Sequence, residues 1–159
     1  SFIGVLQSNK IRRLVELVHE IQSVASAKHL RLLAKAIKET CPHKIPFPIY
    51  LCVNVGEESQ KQGFTRDQVG SAVAAARAFP ELQVKGLMAI PPALATPWLA
   101  QDLGRPELPQ AYRDLAKANA DNGFSELSVG MSGDLEPAIA AGSTEVRIGT
   151  ALCGPRPLS

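Results

Sequence analysis

The 159-residue sequence has few aromatic residues, few cysteines and almost no excess of charge. Phe, Trp and Tyr make up 5% of the chain, whereas 45% is hydrophobic and 20% is charged. This balance is typical of a globular α/β protein with a sizeable core and is too apolar for a disordered chain. The net charge of +2 is too small to indicate a surface that binds nucleic acid.

Long apolar runs, paired cysteines and metal-ligand spacings are missing as well. No run approaches the roughly 20 apolar residues of a membrane-spanning helix. The cysteines are Cys41, Cys52 and Cys153, an odd number without paired spacing, which argues against a disulfide framework and for the reducing cytoplasm. Cys41 and His43 form a close Cys/His pair, but a zinc site needs a second pair. We therefore expect no metal.

Strand-like and helix-like segments alternate along the whole chain. Strands are predicted over residues 2–6, 21–25, 48–55, 83–90, 126–131 and 144–149. Helices are predicted over residues 10–20, 27–39, 65–79, 110–122 and 136–141, with a proline-rich loop at 91–109. Such alternation predicts a parallel sheet with outer helices, either doubly wound or a (β/α) barrel. Six βα units would be about three quarters of a (β/α)8 barrel, in one domain spanning residues 1–159.

Turns of small residues follow the last two predicted strands. Ser132 and Gly133 follow the first of them, and Gly149 and Thr150 end the second. Barrels often bind a phosphate between the loops after their last two strands, and such turns leave backbone N–H groups for an anion. The alternative is that small residues merely permit tight turns.

Arg147 favours the ligand interpretation. On the last strand, Arg147 and Gly149 share one face while Val146 and Ile148 share the other. If Arg147 faces the barrel interior, it supplies a fixed charge beside the turns. The alternative is a structural ion pair with Asp134 or Glu145.

Five stretches, in order along nearly the whole chain, resemble the pyridoxal phosphate homeostasis protein family, whose fold is similar to the N-terminal barrel of alanine racemase. They are residues 2–10 (FIGVLQSNK), 53–64 (VNVGEE and KQGF), 86–91 (GLMAIP), 128–134 (SVGMSGD) and 138–151 (AIAAGSTEVRIGTA). Each stretch is weak evidence alone; together they are specific.

The resemblance implies pyridoxal 5′-phosphate as cofactor. It places Ser132, Gly133, Gly149 and Thr150 at the phosphate and Arg147 at the pyridine nitrogen; Asn54, Met88 and Met131 are further candidates near the site. A guanidinium stays protonated and can only donate, so the ring nitrogen stays unprotonated and the ring is a weaker electron sink. This favours storage or delivery of the cofactor, with transient contacts to apo-enzymes, over an enzymatic activity.

The family's Schiff-base lysine, at the end of its first strand, has no counterpart in this chain. The resemblance and the count of βα units both predict that about two units at the N-terminal side are missing. Either the sequence is a fragment, or the short chain is an open barrel that needs a partner to cover its edges.

Two other functions remain open. One is a racemase or decarboxylase that uses pyridoxal phosphate. It needs an acid/base group across the cofactor, and neither Tyr50, expected at the start of a strand, nor Tyr112, expected on an outer helix, is well placed for this. The other is a barrel that binds a sugar phosphate, which explains the turns but not Arg147.

Overall fold

The computed structural model describes residues 1–56, 60–90 and 110–154 and contains one sheet of five parallel strands. The strands are β1 (Ile21–Val24), β2 (Phe47–Cys52), β3 (Leu82–Met88), β4 (Glu126–Met131) and β5 (Glu145–Arg147). They lie side by side in chain order, without the reversal of order that defines a doubly wound sheet. Sequential parallel strands with helical connections are the arrangement of part of a (β/α) barrel.

Helices lie between successive strands, before the first strand and after the last. They are α1 (Ile11–Leu17), α2 (Ala27–Thr40), α3 (Val69–Arg77), α4 (Gln110–Asp121), α5 (Leu135–Ala140) and α6 (Thr150–Cys153), with 3₁₀ turns at Ser8–Lys10, Pro42–Lys44 and Arg66–Gln68. α2 starts where Ser26 Oγ accepts from the His29 backbone N–H. Thr65 forms a capping box before α3, since its backbone N–H donates to Gln68 Oε1 at 3.1 Å. α6 was not predicted, because four residues are too few for a periodic pattern.

The first predicted strand, residues 2–6, is not a regular strand. Phe2 alone forms a parallel bridge to Ile21, donating to Glu20 O and accepting from Gln22 N. Ile3 and Val5 are exposed, because no second strand covers this edge among the described residues. The prediction of six strands therefore becomes five strands and one bridge.

The core lies between the sheet and the helices. Phe47, Ile49 and Leu51 of β2 are buried against apolar residues of α2 and α3, such as Leu33 and Val73. Burying such side chains stabilises the fold by about 1.5–3 kcal/mol each. No helix among the described residues has both the length and the apolar character needed to cross a membrane. The predicted loop of residues 91–109 lies outside the described residues.

Gly86 allows β3 and β4 to approach closely. A Cβ on Gly86 would lie 1.8 Å from the backbone oxygen of Glu126, its paired residue on β4. The space is closed by backbone, which cannot move aside as a side chain could. The close pairing of β3 with β4 therefore requires a residue without a side chain at position 86.

We expect Gly86→Ala to lower the free energy of unfolding by about 3–5 kcal/mol, because backbone must shift to admit the methyl group. Gly70→Ala is the matched control. A Cβ at Gly70 meets nothing within 4 Å, and alanine in α3 should add about 0.5–1 kcal/mol. Urea unfolding followed by circular dichroism measures both changes. Equal stabilities of the two variants would contradict the close approach.

Candidate functional site

The two small-residue turns lie side by side at the carboxyl ends of β4 and β5. The register of these strands pairs Met131 with Arg147, so each turn begins next to the other. The backbone N–H of Ala151, in α6, donates to Ser132 Oγ at 3.1 Å. The turns that the sequence placed at neighbouring strand ends are therefore in direct contact.

The two turns present hydrogen-bond donors. Among the described residues, the backbone N–H groups of Ser132, Gly133, Gly149 and Thr150 have no acceptor. Since the Ser132 hydroxyl already accepts from Ala151, its own proton remains for a further acceptor. A Cβ built on Gly133 or Gly149 meets no atom within 4 Å. The surroundings are therefore open and rich in donors, as an anion requires.

Local interactions shape the first turn. Gly130, with φ +102°, lies so close to α5 that a Cβ would be 2.5 Å from the Ala138 side chain. Asp134 closes the turn, since its Oδ1 accepts from Met131 N at 2.5 Å. Its Oδ2 accepts from the Tyr112 hydroxyl at 2.5 Å, so α4 also supports the turn.

Arg147 lies on the interior face of the sheet, which the alternation along the strand had left open. Its Nη1 donates to Ser128 Oγ at 2.6 Å and to Ser128 O at 3.1 Å, and its Nη2 donates to Ala89 O at 2.8 Å. No carboxylate of the described residues forms a salt bridge with it, so the alternative ion pair with Asp134 or Glu145 is not formed. Burial lowers the pKa of Arg147, and Asp134 opposes that shift.

Below Arg147 lies a group of polar side chains that the sequence analysis missed. Ser128 donates to Gln22 Oε1 at 2.6 Å, and Gln22 Nε2 donates to Glu20 Oε1 at 2.9 Å and to Glu145 Oε2 at 2.5 Å. Gln22 is 2% exposed and Ser128 is 0% exposed. The available signal was the presence of polar residues, Gln22 and Ser128, at interior positions of strands β1 and β4.

Tyr50 belongs to the same interior layer. The sequence placed it at the start of a strand, but it is the fourth residue of β2 and fully buried. Its hydroxyl contacts Glu145 Oε1 at 2.5 Å and also a carboxylate oxygen of Glu126, which pairs with Lys85 at 2.6 Å. Burial and these two carboxylates raise the pKa of Tyr50. Burial and Asp134 likewise raise the pKa of Tyr112.

The donors border a cavity of about 710 Å³. Its lining includes Met131, Ser132, Gly133, Arg147, Gly149 and Thr150. A second cavity of about 310 Å³ shares Ile3, Met88 and Ile90 with the first and is also lined by Cys52 and Asn54. The structure thus brings all five residues predicted for the cofactor, together with Met88 and Met131, to the larger cavity. Asn54 lines the smaller one.

The cysteines and histidines form no site. Cys41, Cys52 and Cys153 are all free thiols. Within residues 1–56, 60–90 and 110–154, no group of three or more His, Cys, Asp or Glu side chains could hold a metal ion.

Comparison with known proteins gives the family context. The sequence model described as alanine racemase, N-terminal domain, matches residues 2–157. The pyridoxal phosphate homeostasis protein of Pseudomonas aeruginosa is 39% identical over 98% of this chain, and that of Escherichia coli K12 is 34% identical over 99%. The chain spans 64% and 65% of the length of these two relatives, less than two thirds.

Solved structures agree on the fold. PipY of Synechococcus elongatus PCC7942, solved without PLP, superposes with a TM-score of 0.77 at 28% identity, covering 94% of this chain and 67% of PipY. PipY with PLP bound gives a TM-score of 0.73. Alanine racemase of Clostridium difficile 630 gives 0.67 at 12% identity, covering 98% of this chain and 39% of the racemase, a likeness of fold alone.

We expect the Cys52 thiol to be inert near neutral pH. Burial raises its pKa to about 11, although Arg147 acts in the opposite direction. Only the thiolate is nucleophilic, and at pH 8 about 0.1% of such a thiol is ionised. Alkylation by iodoacetamide, followed by mass spectrometry, should be much slower at Cys52 than at the exposed Cys153 and should accelerate up to about pH 11. Equal rates at pH 8 would contradict this description of the cavity.

Proposed function

This chain belongs to the alanine racemase N-terminal-domain family, and from that premise we propose that it binds pyridoxal 5′-phosphate and stores or delivers it without turnover. The observation that carries the proposal is the pair of contacting turns beside Arg147, at one edge of one cavity. PipY has been solved with PLP bound, and curated relatives are named for pyridoxal phosphate homeostasis, which supports the same ligand here.

The residues present fit the phosphate of this cofactor. Ser132 and Thr150 would donate hydroxyl protons, and the four backbone N–H groups of the turns would donate to the remaining oxygens. Each hydrogen bond to a charged oxygen contributes about 1.5–3 kcal/mol. The open space at Gly133 and Gly149 leaves room for the anion to approach the backbone.

Arg147 fits the pyridine ring. When bound, the cofactor supplies an aldehyde and an electron-withdrawing ring. Because the guanidinium keeps its protons, it would donate to the ring nitrogen and leave that atom unprotonated. An unprotonated ring withdraws electrons less strongly, which disfavours carbanion chemistry and favours holding the cofactor intact.

The tyrosine hydroxyls support a function without turnover. Racemases of this cofactor class need an acid/base group across the ring, and the chain has two tyrosines. Tyr50 is held by Glu126 and Glu145, and Tyr112 by Asp134. Release to apo-enzymes within the cytoplasm belongs to the same proposal and is consistent with the free thiols.

The phosphate contacts predict a strong preference for the phosphorylated ligand. Loss of two charge-assisted hydrogen bonds corresponds to at least about 100-fold in affinity, so pyridoxal should bind at least that much more weakly than pyridoxal 5′-phosphate. Isothermal titration calorimetry compares the two ligands. Ser132→Ala should weaken binding of pyridoxal 5′-phosphate about tenfold, whereas Ser71→Ala, at an exposed position on α3, should leave it unchanged. Equal affinity for the two ligands would refute the proposed phosphate site at the two turns.

The absence of turnover is a separate prediction. With pyridoxal 5′-phosphate present, D- and L-alanine should not interconvert above the rate of the free cofactor, because neither tyrosine supplies the second acid/base group. Chiral chromatography of the amino acid after prolonged incubation measures this. Racemisation that the protein accelerates would instead support the enzyme alternative.

A further inference from the structure

Arg147 is the upper end of a chain of hydrogen bonds that runs down the inner face of the sheet. Its Nη1 donates to Ser128 Oγ at 2.6 Å, Ser128 donates to Gln22 Oε1 at 2.6 Å, and Gln22 Nε2 donates to Glu20 and Glu145 at 2.9 and 2.5 Å. This chain of hydrogen bonds joins β5, β4 and β1, with the Arg147 cation at one end and the carboxylates of Glu20 and Glu145 at the other.

The donor and the acceptor of each hydrogen bond between Arg147 and the two carboxylates are fixed. A carboxylate only accepts, so both Gln22 N–H groups point at Glu20 and Glu145, and Gln22 Oε1 is left as an acceptor. Ser128 has a single proton, which goes to Gln22. The Ser128 oxygen must therefore accept from Arg147. Turning the Gln22 amide over would set oxygen against two carboxylates and is excluded.

Burial makes this chain rigid. Gln22 and Ser128 are almost fully shielded from water. In the protein interior hydrogen bonds are stronger than in water, and an unpaired polar group is costly. Neither residue can leave its partner without leaving a buried donor or acceptor unsatisfied. The position of Ser128 Oγ under Arg147 is thus set by the two residues beneath it.

The contacts also show how many of the N–H donors of Arg147 are already used. A guanidinium has five N–H groups. Two on Nη1 go to Ser128 and one on Nη2 goes to Ala89 O. The remaining Nη2–H and the Nε–H have no acceptor among the described residues, and Arg147 lines the cavity of about 710 Å³.

We propose that Ser128 and Gln22 are positioning residues that lock the Arg147 guanidinium so that its two remaining N–H donors face a neutral ring-nitrogen acceptor of the ligand. The ligand half of this inference rests on the proposed function. Arg147 contacts the ligand, whereas Ser128 and Gln22 act through it. Ser128 does not line the cavity, and Gln22 lines it with both of its N–H groups already held by Glu20 and Glu145.

A purely structural role for the chain is the competing explanation, since it cross-links three strands. The matched control is Ser143, whose hydroxyl lies between β4 and β5, 2.7 Å from Val129 O and 2.9 Å from Glu145 O, and can donate its one proton to either of them, without contact to Arg147. Ser143→Ala removes a strand cross-link of the same chemistry and leaves the chain beneath Arg147 intact.

The first test needs no cofactor. Nitrogen-15 NMR of the Arg147 side chain in the ligand-free protein should show separate, slowly exchanging Nη signals, because rotation of a locked guanidinium is hindered. In Ser128→Ala and in Gln22→Met these signals should merge, while in Ser143→Ala they should stay separate. Separate signals in both Ser128→Ala and Gln22→Met would overturn the inference, as would averaged signals in the unmodified protein.

The second test compares 4′-deoxypyridoxine 5′-phosphate, which keeps the ring nitrogen but has no aldehyde, with benzyl phosphate, which lacks the nitrogen. Calorimetry gives the affinity ratio of the two. Ser128→Ala and Gln22→Met should lower that ratio about tenfold, the size of one lost hydrogen bond to a charged donor, by weakening only the first ligand. Ser143→Ala should leave the ratio unchanged.

The outcomes separate the two proposals. If the unmodified protein binds neither phosphate ligand, the proposed function fails, and the NMR test alone decides whether Arg147 is locked. If it binds both and the ratio is the same in every variant, the function stands and the positioning role is wrong. If Ser128→Ala does not fold, Gln22→Met carries the same comparison.

Discussion

The guanidinium of Arg147 ties together the carboxyl ends of three neighbouring strands. It extends from β5, and it donates to the carbonyl of Ala89 just after β3 and to both oxygens of Ser128 on β4. The turns that carry Ser132 and Gly149 begin where these strands end, so their distance depends on this cross-link. A cation held by neutral acceptors, rather than by a carboxylate, keeps its charge available to the adjacent cavity.

The sequence predicts the parts of the fold that repeat a simple pattern. Near-continuous apolar runs and turn residues located the strands, with 126–131 matched to the residue, and Ser26, Thr65 and Gly123 lie at helix ends as such residues should. Residues 2–6 have the same apolar composition but form only the bridge at Phe2, since a strand also needs neighbours. Composition cannot report whether a neighbour is there.

The candidate site also has features that the sequence predicts and features that it does not. The neighbouring positions of Ser132, Gly133, Gly149 and Thr150 were predictable because position relative to a strand end is a local property, whereas alternation placed Arg147 and Gly149 on one face without saying which face is interior. Gln22 and Ser128 were not, because their meaning depends on contacts between residues 106 positions apart. The position of Tyr50 was predicted only in part. It lies inside β2 rather than at its start, but its hydroxyl contacts Glu126 and Glu145, the first residues of β4 and β5, at the strand ends opposite the turns.

We propose that the ends of β4 and β5 form one anion site beside Arg147. The most direct measurement is a titration of the nitrogen-15-labelled protein with 4′-deoxypyridoxine 5′-phosphate, followed through its backbone amide signals. We expect the amide signals of Ser132, Gly133, Gly149 and Thr150 to shift together and to saturate at one ligand per chain. Saturable shifts confined to other parts of the chain, or shifts in only one of the two turns, would contradict it.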